Sequence, residues 1–240
     1  MKTPVYLTIF GHLDELRKRL FVSLVAWLMA TAVGGYYADP VLRWLLQPVA
    51  MEVHEFYFFS PPAAFLIKFK IALLLGFLIA SPILISQLWL FVSPGLYGKE
   101  KKMILPLIFM TTLLFLCGVF FCFYIVIPFA FKFLIGLQTD FLKPMISIES
   151  YMDFLIGLLL AFGISFNMPI FIMAFVYVGV LRVGLLNRYQ RHMIVLIFVI
   201  AAVLTPTPDI SGQLLLAIPL VILFELSVVG SWLIERMRKK

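Results

Sequence analysis

Two acidic residues, Glu15 and Glu100, stand among cations beside long apolar segments. Glu15 lies in the run His-Leu-Asp-Glu-Leu-Arg-Lys-Arg over 12–19, and Glu100 lies in Lys-Glu-Lys-Lys over 99–102. Carboxylates in these places could bind a cationic ligand. Simpler explanations stay open: Glu15 with Arg19 and Asp14 with Lys18 have the spacing of ion pairs on a helix surface, and Glu100 suits a helix start. The elements around them decide whether the two carboxylates share one side of a membrane.

Composition predicts a polytopic membrane protein. Of 240 residues, 63% are hydrophobic and 13% charged, and the mean hydropathy is +1.09. Soluble domains have about 45–50% apolar and about 25% charged residues. Because apolar segments take up nearly the whole chain, we expect residues 1–240 to form a single membrane domain. The net charge of +7 does not indicate nucleic-acid binding, since the cations cluster beside apolar segments.

The apolar pattern predicts an all-α membrane protein with six transmembrane helices, because only helices of about 20 residues satisfy their backbone groups in lipid. The predicted spans are approximately 20–37, 63–92, 104–137, 151–181, 193–204 and 214–234. The fifth and sixth are short, and the fifth would measure only about 18 Å at 1.5 Å per residue. The bilayer would have to be thinner around this fifth span, or neighbouring protein would have to shield it.

The cations predict the orientation. One alternating set of polar segments holds 14 of the 19 lysines and arginines, so the positive-inside rule places both termini in the cytoplasm and requires an even number of spans. Six spans put Glu15 and Glu100 on the same cytoplasmic face. The run from Leu20 to Ala32 also imitates a signal peptide with its cleavage site, but acids at 14 and 15 are unusual there, so we retain it as a helix.

Prolines inside the predicted spans indicate bent helices that could enclose a concave bundle face, although proline is also commoner in membrane helices generally. They are Pro82, Pro106, Pro128, Pro169 and Pro219. In the first outer loop, apolar residues between 41 and 46 have the spacing of a short interfacial helix that could cap the outer end of the bundle.

No catalytic constellation is found in the sequence, so we do not expect an enzyme. The three histidines, His12, His54 and His192, fall in three separate polar segments, and phosphate-binding glycine loops are absent. Cys117 and Cys122 share one apolar segment on different helix faces and suggest neither a disulfide nor a metal site. We therefore expect no cofactor and no metal.

A secondary transporter or channel for a small solute is the alternative function, and a membrane scaffold is a third. A transporter usually carries ionisable groups inside its spans. Here the deepest candidates are Glu225 in the sixth span and Asn167 in the fourth. For Asn167 an interhelical hydrogen bond is the simpler explanation. Glu225 could be a paired or protonated carboxyl within the bundle, or a functional group that water reaches.

Several motifs in order resemble the TatC family, the multi-span receptor of the twin-arginine protein translocase, over nearly the whole chain. They are His12-Leu13-x-Glu15-Leu16-Arg17-x-Arg19, Pro48, Ser60-Pro61, Phe65, Lys70, Ser81-Pro82, Trp89-x-Phe91-x-x-Pro94-Gly95-Leu96-Tyr97-x-x-Glu100, Ala161-Phe162-Gly163-x-x-Phe166-x-x-Pro169, Thr205-Pro206-x-Pro208-Asp209, Ala217-Ile218-Pro219 and Phe224-Glu225.

The resemblance implies a non-catalytic receptor that binds paired-arginine signal peptides of folded cargo at the cytoplasmic face. Glu15 and Glu100 match the family's acids for the arginine pair, and Arg17 and Phe91 match neighbours on that surface. A guanidinium offers a carboxylate a rigid fork that an ammonium lacks, so the acids can prefer Arg-Arg over Lys-Lys. Pro48, Asn167, Asp209 and Glu225 are candidates for structural or partner contacts.

The resemblance also implies partners and an energy source. The partners are small single-span membrane proteins of the TatA and TatB type, the lipid bilayer and a homo-oligomer of this chain, with transport driven by the proton-motive force. The absence of an Arg- and Ser-rich transit segment favours a prokaryotic plasma (inner) membrane over an organelle as the location. Position 167 departs from the family, which commonly has Glu or Gln there, and an amide cannot titrate.

Overall fold

The computed structural model describes residues 9–49, 56–92, 104–136, 145–204 and 210–238. These residues are almost entirely helical, which confirms the all-α fold. The helices are α1 (Ile9–Tyr36), α2 (Ala38–Leu46), α3 (Ala63–Val92), α4 (Ile104–Phe121), α5 (Ile127–Gly136), α6 (Ile148–Ser165), α7 (Met168–Val178), α8 (Val183–Leu204) and α9 (Ile210–Arg238).

Five helical stretches of the described chain are long and apolar enough to cross a membrane. They are Gly11–Tyr36, Ala63–Val92, Ile104–Gly136, Ile148–Val178 and Leu216–Arg236. Each corresponds to a predicted span, and the second has the predicted bounds. The chain is thus a multi-pass membrane protein. The fifth predicted span lies in α8, which carries Arg188 and Arg191 in its first half.

The helices that carry the fifth and sixth predicted spans are longer than those spans. α8 begins at Val183, ten residues before the predicted start, and its 22 residues extend about 33 Å. α9 has 29 residues. Polar residues continue both helices beyond their apolar runs because a helix satisfies its own backbone groups wherever it lies. The apolar runs in α8 and α9 are therefore short, but the helices that contain them are not.

The chain divides into two compact units. The first comprises Met1–Pro40 and Lys68–Thr112. In it α1 and α3 approach closely through small residues: a Cβ atom on Gly34 would lie 2.8 Å from the carbonyl oxygen of Ala72, and one on Gly76 would overlap Thr31. Trp27 adds a hydrogen bond from its indole nitrogen to the carbonyl oxygen of Leu73, at 3.1 Å.

The second unit comprises Val41–Ile67 and Leu113–Lys240. The helix predicted in the first outer loop is present here as most of α2. The buried hydroxyl of Tyr151 on α6 donates to the carbonyl oxygen of Leu45 at 2.8 Å. The backbone of Tyr57 donates to the carbonyl oxygen of Ile146, just before α6, at 3.1 Å and accepts from Ile148, the first residue of α6, at 3.0 Å. The segment that follows α2 and the start of α6 thus contribute to one packed region.

The helix α9 packs against α7 and α8 in the second unit. Val176, Val183 and Leu186 form a buried apolar cluster, against which Val228 of α9 packs. Gly230 allows close approach to α7, because a Cβ there would lie 2.5 Å from the sulfur of Met173. Small residues thus bring helices together in both units, as expected where lipid removes the hydrophobic driving force between helices.

Three of the five prolines coincide with helix starts or irregularities. Pro106 is in the first turn of α4, where a missing N–H costs nothing. Pro128 follows a π-helical turn, Cys122–Val126, and Pro169 follows the break between α6 and α7. Pro82 and Pro219 lie inside continuous helices.

Candidate functional site

The polar first turns of α1 present Glu15 and Arg19 as an ion pair. An Nη2 of Arg19 lies 3.3 Å from Oε1 of Glu15, and their side chains are 32% and 23% exposed. This is one of the two pairs that the spacing predicted. Asp14 and Lys18 are both exposed, and no ion pair joins them in the part of the chain that the structure describes.

Arg19 also reaches across to α3. Its Nη1 donates to Oε1 of Gln87 at 3.1 Å, so one guanidinium links the carboxylate of Glu15 to a neutral amide on the neighbouring helix. A charge-assisted N–H···O bond is ordinarily about 2.7–2.9 Å long. The contact with Glu15 is longer than that and uses one carboxylate oxygen. Arg19 therefore positions the Glu15 side chain without forming a bidentate pair with its carboxylate.

A second contact between the same helices involves Phe91. The imidazole of His12 stacks on the phenyl ring of Phe91, with centroids 4.4 Å apart and planes inclined by 23°. His12 precedes Glu15 by about one helical turn, and Phe91 follows Gln87 by about one turn. The two contacts thus bring the predicted site residues Glu15 and Phe91 to the same pair of helix ends.

The other predicted site residues are distributed differently. Arg17 is exposed. At 100° per residue it points about 200° around α1 from Glu15, away from the face that contacts α3. Glu100 and Asp209 lie outside the described residues. Pro48 is half-buried in a single 3₁₀ turn, Gln47–Val49, whose last residue is fully buried.

Asn167 occupies the break between α6 and α7 and is only 4% exposed. Its backbone N–H bonds to the carbonyl of Ile164 at 3.1 Å, which leaves the Gly163 carbonyl without its usual partner. The Asn167 side chain fills that role, with Nδ2 donating to Gly163 at 3.0 Å. The predicted interhelical bond is thus replaced by a local one. Among the described residues its Oδ1 is buried with no hydrogen-bond partner.

Glu225 of α9 is half-buried and bonded to α8. Its Oε1 accepts a hydrogen bond of 2.6 Å from Nε2 of Gln190. Of the two alternatives that the sequence left open, this geometry favours a carboxyl paired within the bundle.

Sequence reasoning missed the partners that hold these groups. His12 was part of a recognised motif, but nothing local marks its contact with Phe91, 79 positions away. Gln87 and Gln190 are uncharged and belong to no motif. Their contacts depend on helix pairing, which apolar periodicity does not encode.

Comparison with known proteins identifies the family. The family model described as "Sec-independent protein translocase protein (TatC)" matches residues 11–219. The TatC protein of Carboxydothermus hydrogenoformans is 37% identical over 222 residues, which cover 92% of this chain and 91% of the relative. That of Aquifex aeolicus is 39% identical over 233 residues, covering 95% and 96%.

Solved structures agree with these relatives. A crystal structure of the twin arginine translocase receptor TatC in DDM matches with a TM-score of 0.84 and 39% identity, over 91% of this chain and 98% of that one. A second crystal structure of this receptor also gives a TM-score of 0.84, at 38% identity. These matches favour protein translocation over small-solute transport. The chain belongs to the TatC family of Sec-independent protein translocase proteins.

Proposed function

We propose that this chain is the signal-peptide receptor of a twin-arginine translocase and binds the Arg-Arg pair of folded cargo at its cytoplasmic face. The observation that carries the proposal is the carboxylate of Glu15, whose side chain is 23% exposed and contacts one guanidinium at 3.3 Å through a single oxygen. Carboxylates recognise guanidinium through parallel hydrogen bonds, which an ammonium cannot reproduce. Glu100 supplies the second carboxylate in this proposal, and Arg17 and Phe91 border the peptide.

The proposal includes a topology of six spans in a single membrane domain, with both termini in the cytoplasm of a prokaryote. The clustering of cations in alternate segments supports it. In this topology α8 spans the membrane in addition to the five long apolar stretches, as the fifth span along the chain, with Arg188 and Arg191 at its cytoplasmic end. Cysteines introduced singly at exposed positions test this with a membrane-impermeant thiol reagent in intact cells. Labelling at position 18 without permeabilisation would contradict the topology.

The partners are proposals as well. We infer that the chain is not an enzyme and acts with single-span proteins of the TatA and TatB type, in one or more copies, using the proton-motive force. Pro48, Asn167, Asp209 and Glu225 shape the bundle or its partner contacts. Co-purification of tagged chain with such proteins, before and after dissipation of the proton-motive force, tests the assembly.

The decisive experiment varies cargo and receptor together. Crosslinking of a precursor to the receptor should fall at least tenfold when its Arg-Arg pair becomes Lys-Lys, and similarly when Glu15→Gln and Glu100→Gln are combined. Asp14→Asn is the matched control, because it removes an exposed acid beside Glu15 and should leave crosslinking unchanged. Unchanged crosslinking after the cargo swap would contradict arginine recognition, and unchanged crosslinking in the double variant would contradict the site.

A further inference from the structure

We propose that Arg19 occupies the place a cargo guanidinium takes on Glu15, and so acts as a competitor inside the chain that keeps peptide binding reversible. The inference rests on the proposed function and adds that Arg19 lowers the affinity of the chain for the signal peptide. It follows from the three linked side chains Glu15, Arg19 and Gln87.

The chemistry of the two guanidiniums is the same. Arg19 donates to Oε1 of Glu15 from Nη2, and an arginine of the peptide would bind the same carboxylate through the same groups. A peptide guanidinium that forms two parallel bonds with Glu15 uses both carboxylate oxygens, so it competes with Arg19 for Oε1. At 3.3 Å that contact is long, and both side chains are partly solvated. The competitor is therefore weak enough to be displaced.

Gln87 makes the competitor effective. It accepts from Nη1 of Arg19 at 3.1 Å, a different nitrogen from the one that contacts Glu15. This bond restricts a long side chain that would otherwise lose more rotamer entropy on pairing. It also stays available when Nη2 leaves Glu15. Gln87 thus holds Arg19 beside the carboxylate in the free receptor and keeps it nearby when peptide is bound.

The test measures the affinity of the purified full-length chain for a fluorescent twin-arginine signal peptide. Arg19→Gln should raise that affinity about two- to fivefold, the range of a partly exposed ion pair. Gln87→Leu should raise it by less, and should add nothing in the Arg19→Gln background. Lys18→Gln is the control, because it removes one positive charge at the exposed neighbouring position. Any rise in affinity that comes only from the lower net charge should appear in this variant too.

The carboxylate provides the specific readout. In a Glu15→Gln background the gain from Arg19→Gln should vanish, whereas a general charge effect would persist. Arg19→Lys keeps the positive charge but removes the forked guanidinium, so it should raise peptide affinity by less than Arg19→Gln. It replaces Arg19→Gln in the test if that variant does not fold. A loss of affinity in Arg19→Gln, or a gain equal to that of Lys18→Gln, would overturn the inference alone. Absence of peptide binding by the unmodified chain would overturn the proposed function with it.

Discussion

Gln190 on α8 donates a 2.6 Å hydrogen bond to the carboxylate of Glu225 on α9. The pair joins two helices that pack along their length. Its geometry makes Glu225 part of the helix packing, because a half-buried carboxylate needs a donor and the amide supplies one.

Breaking this pair should destabilise the bundle. Glu225→Ala and Gln190→Leu should each lower the free energy of unfolding by about 1–2 kcal/mol, since either leaves a polar group without its partner. The double variant should cost less than the sum, with a coupling of about 0.6–1.7 kcal/mol as in other membrane bundles. Reversible unfolding in mixed micelles measures all four forms of the cycle. Additive losses would show that the bond contributes nothing.

A methyl group on Gly76 should be poorly tolerated. The Cβ would overlap the backbone and hydroxyl of Thr31, so α1 and α3 must separate at a cost of about 1–3 kcal/mol. Gly157→Ala is the control, because nothing lies within 4 Å of its new Cβ. That change should be neutral or stabilising by up to about 1 kcal/mol. Thermal unfolding in detergent compares them, and equal midpoints would contradict the close packing of α1 on α3.

Tyr151→Phe should cost about 1–2 kcal/mol without changing the fold. The change removes the hydroxyl that donates to the carbonyl oxygen of Leu45 in a buried region. Tyr189→Phe is the comparison, because Tyr189 is 51% exposed as a residue and should tolerate loss of its hydroxyl. A protease-resistance assay across temperature reports the difference. Identical curves would mean that α2 is held by apolar contacts alone.

Asn167→Ala should change the free energy of unfolding by less than about 1 kcal/mol. It removes the bond to Gly163 but also removes a buried oxygen with no partner among the described residues. These two effects oppose each other. Stability and translocation of a twin-arginine reporter should be measured together. A stable variant that no longer translocates would assign Asn167 to partner contact, and a strongly destabilised one would contradict this balance.

Helix identity was predictable because it depends on local properties. A run of apolar residues long enough for a bilayer forms a helix wherever its neighbours lie, and the bounds of Ala63–Val92 were obtained this way. The start of α8 could not be predicted in this way, because the polar residues from Asn187 to His192 lie outside the apolar run. Family resemblance identified Glu15 and Phe91 as site candidates through motif order, which needs no knowledge of packing.

The sequence by itself determined an all-α membrane protein of the TatC type, because hydropathy and motif spacing depend only on the order of residues along the chain. The tertiary structure decided what holds the candidate site: Arg19 between Glu15 and Gln87, and His12 on Phe91. It also bonded the Asn167 side chain to Gly163 of the preceding helix, α6, and paired Glu225 with Gln190. Most of these contacts join residues dozens of positions apart. They exist only once close helix packing has fixed which faces meet.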